Sequence, residues 1–218
     1  MDARQQSLQE LQQIKKMMER SSKFISLSGL SGISAGICAL AGAWLASVKI
    51  DCWLKGDCNY ARSGYEAAAN LENDLLLIAI ATFTAAFITS FLFTYLRSKK
   101  TGTPLWGTTA YRLFWNVLIP LAAGGLFLLR TMQLGQYELI APGCLIFYGL
   151  ALVNCSKYTL GEVRFLGYGQ IILGIINLWM TGYGLYFWAA GFGLLHIIYG
   201  TLMWYKYERV SSTNDNNE

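Results

Sequence analysis

Residues 161–182 read GEVRFLGYGQIILGIINLWMTG, and residues 183–209 read YGLYFWAAGFGLLHIIYGTLMWYKYER. Each is an apolar run of the length that crosses bilayer hydrocarbon as a helix, about 20 residues. Lipid offers no hydrogen-bond partners, so a spanning run must satisfy its own backbone, and a helix does so locally. Gly182 and Gly184, on either side of Tyr183, supply a turn between the runs. The pair reads as a transmembrane hairpin.

Four further apolar runs precede it. The sequence therefore predicts an all-α polytopic membrane protein with one membrane domain, 24–209. Its six transmembrane helices fall at about 24–48, 75–96, 110–129, 139–155, 163–181 and 185–205, in three hairpins. Composition agrees: 54% of the 218 residues are hydrophobic, mean hydropathy is +0.36 and 14% are charged, against about 25% charged in ordinary soluble proteins. Residues 1–23 are polar, with Ser7, Leu11, Ile14, Met18 and Ser21 on one helical face. This predicts an amphipathic cytosolic helix whose Lys15, Lys16, Arg20 and Lys23 suit anionic headgroups, or alternatively a partner-binding helix. The first apolar run lacks a cleavage site and reads as a retained span. Residues 210–218 read as a disordered tail.

Charge sets the orientation. One side collects Arg4, Lys15, Lys16, Arg20, Lys23, Arg97, Lys99, Lys100, Arg112, Lys157, Arg164, Lys206 and Arg209. The other holds Lys49, Lys55, Arg62 and Arg130. The positive-inside rule places both termini in the cytoplasm. The loop with Cys52 and Cys58 then lies outside, where a disulfide between them would persist. Cys38, Cys144 and Cys155 sit in apolar runs and read as packing residues.

Signs of catalysis are sparse. With His196 as the sole histidine there is no HExxH and no His-rich metal site, and no phosphate-binding GxxxxGK[ST] occurs. No Asp or Glu lies mid-span, where proton-coupled transporters place theirs. Glu162 and Arg164, at the start of the fifth span, read as a border pair. The chain is expected to be non-enzymatic and to use no cofactor or metal. Its basic residues follow the membrane, so no direct nucleic-acid contact is expected.

The candidate intramembrane polar residues are Asn116, Gln170, Asn177 and His196. Gly167, Gln170, Gly174 and Asn177 share one face of the fifth span, and Gly193, His196, Gly200 and Met203 one face of the sixth. These two faces are expected to meet. With the turn centred near Tyr183, Gln170 and His196 lie at equal depth and should come within hydrogen-bonding reach, directly or through water. His196 then reads as an imidazole satisfied across the helix contact, or alternatively as a pH-sensing or ligand-contacting group. Gly32 and Gly36 form GxxxG, which serves packing within the bundle or homodimerisation. Gly174, Gly193 and Gly200 are further packing candidates. Pro120, followed by Gly124 and Gly125, marks a hinge candidate.

Two stretches carry a resemblance: MMERSSKFISLSGLSGISAGICAL (17–40) and GFGLLHIIYGTLMWYKYER (191–209). They resemble an uncharacterised family of small six-span membrane proteins of Bacteroidota. The resemblance implies a bacterial cytoplasmic (inner) membrane and a periplasmic first loop. No activity is assigned to that family, so it carries over no functional residues. The Gly-rich hairpins are also distantly similar, in composition, to the HdeD-like acid-resistance membrane proteins. The function expected is interaction within the lipid bilayer, with a cytosolic or membrane protein partner or a second copy of the chain, as an accessory subunit or membrane-state sensor. The alternative is a small solute transporter or channel with Asn116, Gln170, Asn177 and His196 lining its path.

Overall fold

The structure is a computed structural model that describes residues 28–56, 64–102 and 107–209. The expected helix at 1–23, Cys58 and the tail at 210–218 lie outside the described residues. Every regular element among the described residues is helical.

Helix α1 (Gly29–Lys55) starts at Ser28, whose hydroxyl accepts the Leu30 N–H at 3.2 Å. It ends at Gly56, in the left-handed conformation (φ 71°) that glycine adopts without strain. The remaining helices are α2 (Gly64–Thr101), α3 (Thr108–Gln133), α4 (Ile140–Cys155) and α5 (Glu162–Trp179), with a 3₁₀ turn at Tyr137–Leu139 leading into α4. The last helix, α6, is continuous from Gly184 to Arg209. It is α-helical at Gly184–Trp188 and His196–Trp204, and π-helical over Ala189–Leu195 and Tyr205–Arg209. Both α1 and α2 outrun the apolar segments expected at 24–48 and 75–96, because a helix satisfies its own backbone in water as well as in lipid. As a result Cys52 lies in the last turns of α1 rather than in a loop.

Five helices among the described residues are long and apolar enough to cross a membrane: Gly29–Lys55, Asn70–Lys100, Thr109–Gln133, Tyr137–Cys155 and Gly184–Tyr207. Helix α5 is not one of the five. Gln170 and Asn177, with Glu162 and Arg164 in the first turn, dilute its apolar character.

The glycine ridges do not meet as the sequence pattern suggests. The α5 and α6 ridges were expected to face each other, but α5 packs most extensively on α4, and α6 on α1. At the α4–α5 crossing the backbones touch: a Cβ on Gly149 would lie 2.7 Å from the Gly167 carbonyl oxygen, and one on Gly167 would lie 2.8 Å from that of Gly149. Gly174 presses on Leu145 and Ile146 of α4. At the α1–α6 crossing, a Cβ on Gly200 would lie 2.7 Å from the Gly29 oxygen, and one on Gly36 would lie 2.7 Å from that of Gly193. Gly32 faces Gly200. The GxxxG ridge of α1 is thus occupied within the chain, in the manner small residues permit in lipid. Spacing reveals that a face is packed, and carries no mark of which helix packs it.

The neighbouring ridge of α1 receives α2. Ser90 Oγ donates to the Ser31 carbonyl at 3.0 Å, and Thr82 lies over Gly42. Thr84 and Thr89 return their hydroxyls to the Ile80 and Ala85 carbonyls, each at 2.8 Å. Phe83, Phe87 and Phe91 stack along the exposed side of α2. Helix α3 packs on α4, where Gly124 admits Phe147. Polar contacts join elements near one end of the bundle, among them Lys49 with Asp74 at 2.8 Å, and Tyr137 Oη donating to Glu72 at 3.0 Å.

Candidate functional site

The polar centre of the molecule forms around the carbonyl of Gly191, in the first π-helical stretch of α6. A π turn relaxes the regular backbone ladder, and such turns recur at functional positions. Two side chains address this carbonyl. Gln170 Nε2 donates to it at 2.8 Å from α5, and His196 Nδ1 lies 3.1 Å from it, one turn further along α6. A carbonyl oxygen can only accept, so Nδ1 carries the ring proton. In the neutral imidazole Nε2 is then the acceptor, and the phenol of Tyr148 donates to it at 2.8 Å from α4.

Gln170 and His196 do come together, but not as a simple pair. Gln170 Nε2 and His196 Nδ1 are 3.5 Å apart, and both are donors that share the Gly191 oxygen. Gln170 is fully buried and His196 nearly so. A Cβ at 191 would displace its neighbours, since it would lie 2.5 Å from Gln170 Oε1 and would strike the end of the Leu145 side chain. Tyr148, Phe192 and Trp188 form an aromatic wall beside the imidazole, with centroid separations of 5.0 Å for Tyr148–Phe192 and 5.0 Å for Trp188–Phe192. Phe192 is stacked with His196 at 6.1 Å.

The other two candidates lie elsewhere. Asn177, two turns along α5 from Gln170, donates through Nδ2 to the Met180 carbonyl at 3.2 Å. Asn116 of α3 turns its amide onto the Arg112 carbonyl at 2.8 Å. Its backbone has a more telling role. Pro120 has no N–H, so the carbonyl four residues earlier, that of Asn116, loses its helical donor. Asn154 of α4 replaces it, with Nδ2 donating at 3.0 Å. The suspected hinge is therefore bound to its neighbour at the position where the ladder is broken.

A second polar cluster ties the start of α5 to the end of α6. Glu162 Oε1 accepts from Lys206 Nζ at 2.5 Å and from Tyr207 Oη at 2.9 Å. The expected border partner, Arg164, instead lies over the Phe165 ring at 5.8 Å. Burial works against the charged carboxylate, but the hydrogen bonds from Lys206, the backbone and Tyr207 outweigh it. Together they hold Glu162 below its ordinary value.

Cys52 is disulfide-bonded; Cys58, the partner expected for it, lies outside the described residues. Cys38, Cys144 and Cys155 are free thiols. No group of three or more His, Cys, Asp or Glu side chains that could hold a metal ion occurs among the described residues. Comparison with protein-family models, curated proteins and solved structures finds no match.

Sequence reasoning missed Tyr148, Asn154 and the carbonyl of Gly191. Pro120 does signal that some donor must serve Asn116, although it gives no indication which. Nothing in the pattern of α4 singles out Tyr148.

Proposed function

We propose that this chain is an integral membrane protein that acts through protein–protein contact, as an accessory subunit or as a sensor of membrane state, and not through catalysis. In this reading α5 also crosses, as the fifth of six segments. Both termini are cytoplasmic, the membrane is the bacterial cytoplasmic membrane, and the basic segment at 1–23 meets a cytosolic or membrane partner. Support for α5 comes from its two faces: Gln170 and Asn177 turn inward, while Ile172, Ile175 and Ile176 are exposed.

The observation that carries the interaction reading is where the intramembrane polar groups direct their hydrogen bonds. A transport path would need Asn116, Gln170, Asn177 and His196 to line one route. Asn116 instead addresses its own helix, and the other three address backbone carbonyls of the α5–α6 region. Groups used in this way hold helices together. Purification of the tagged full chain from its native membrane in mild detergent tests the proposal. A stoichiometric partner that is lost when the basic residues of 1–23 are neutralised supports it. A measurable solute flux through liposomes holding the chain alone overturns it. Reporter fusions after residues 56 and 209 check the orientation.

A further inference from the structure

Two buried amide oxygens lie on the same face of α5. Gln170 is 0% exposed and Asn177 is 3% exposed, and seven residues separate them by about 10 Å along a helix axis. In both, the amide nitrogen is committed to a backbone carbonyl: that of Gly191 for Gln170 and that of Met180 for Asn177. Those carbonyls fix the sense of each amide, since turning it over would set oxygen against oxygen. In both, the amide oxygen accepts no hydrogen bond from the described residues. Among those residues the only other buried side-chain atom in this condition is Glu162 Oε2, in the cluster with Lys206 and Tyr207. Each amide oxygen also faces a glycine. The Cβ position of Gly191 lies 2.5 Å from Gln170 Oε1, and that of Gly184 lies 3.9 Å from Asn177 Oδ1. The glycine at 191 lets the Gln170 oxygen lie directly against the backbone of α6, and at 184 a Cβ would also stand 3.1 Å from that of Ala141.

An unpaired carbonyl oxygen is costly in hydrocarbon, and water is the smallest donor that can relieve it. Beyond Asn177 the chain opens onto Thr181, Gly182 and Tyr183, all exposed. We propose that this face of α5 is a hydration site. Water enters at the 181–183 turn, donates to Asn177 Oδ1 and Gln170 Oε1, and links the aqueous phase to the polar centre that holds His196. This does not depend on whether the protein recruits a partner.

The chain has one histidine, so ¹⁵N-histidine labelling of the full chain in lipid bilayers gives signals from His196 alone. Water-edited solid-state NMR then measures how quickly water magnetisation reaches the ring nitrogens. Rapid build-up is expected in the wild type. Asn177→Leu should slow it several-fold while leaving the Nδ1–H pattern intact, which also reports that the fold is preserved. Gly184→Ala, which keeps the amide and sets a methyl 3.9 Å from Asn177 Oδ1 and 3.1 Å from the Ala141 Cβ, should slow it as well, and it decides the matter if Asn177→Leu does not fold. Wild-type build-up as slow as that of lipid-buried sites overturns the proposal, as does a rate unchanged in both variants. A build-up that collapses when sodium is exchanged for choline would assign the oxygens to a cation and overturn the hydration site.

Discussion

Asn154→Leu removes the donor that serves the Asn116 carbonyl, which Pro120 leaves without a helical partner. The bond is 3.0 Å long and part-buried. A donor lost from a buried acceptor costs about 1–3 kcal/mol in general, whereas side-chain hydrogen bonds in membrane bundles average about 0.6 and reach about 1.7 kcal/mol. The carbonyl has no alternative donor in its own helix, so the upper part of the membrane range applies, about 1–2 kcal/mol. The informative comparison is a double-mutant cycle. Pro120→Ala returns an N–H to position 120, four residues after Asn116, and the helix can then satisfy the carbonyl itself. In that background Asn154→Leu should cost no more than about 0.5 kcal/mol, a bound set by the small net value of a dispensable hydrogen bond. Reversible unfolding in mixed micelles measures all four corners. Equal costs of Asn154→Leu with and without the proline would refute the assignment of Asn154 as the proline's compensating donor.

Other expected outcomes follow from single contacts. Gly149→Ala, whose Cβ would meet the Gly167 carbonyl at 2.7 Å, should destabilise the α4–α5 crossing by about 1–3 kcal/mol. Gly125→Ala, with nothing within 4 Å, should be neutral or stabilise by up to about 1 kcal/mol, and the same unfolding assay compares the two. Tyr148→Phe removes the donor to His196 Nε2 and should shift that nitrogen's ¹⁵N resonance while costing about 0.6–1.7 kcal/mol. A resonance that does not move would refute the Tyr148–His196 hydrogen bond. Glu162 sits below its ordinary value of 4.5. Its stabilisation is therefore complete above that pH and is lost as pH falls through the lowered value. Thermal unfolding of Glu162→Gln should accordingly lose the acid-side drop in Tm that the wild type shows below that pH.

Much of the fold was legible because apolar length is a strong signal. Helices lie at each of the segments expected between 75 and 205, and α1 lies at the first. Their ends were less legible, because Lys49 to Lys55 continue a helix that hydropathy alone would stop. The depth of Gln170 relative to His196 was legible from the turn between them, since two antiparallel helices measure depth from a shared point. Their chemistry was not: the shared acceptor is a backbone carbonyl, and any residue supplies one. The partners of the glycine ridges were hidden for a related reason. Gly167 and Gly200 announce close approach, but their counterparts, Gly149 and Gly29, lie in segments that contact order alone could have paired otherwise.

The π-helical stretch at Ala189–Leu195 acts as a phase shifter in α6. Within and after it two faces of the helix serve different neighbours: Gly193 and Gly200 toward α1, and Gly191 and His196 toward α4 and α5. Drawing the stretch into an α-helix with no residue deleted would turn everything after it by one residue's step, about 100°. His196 and Gly200 would then lose their neighbours together, although neither had been altered. The register of one helix thus binds the polar centre and the α1 crossing into a single unit, and a change in that register is the smallest motion that would reach both.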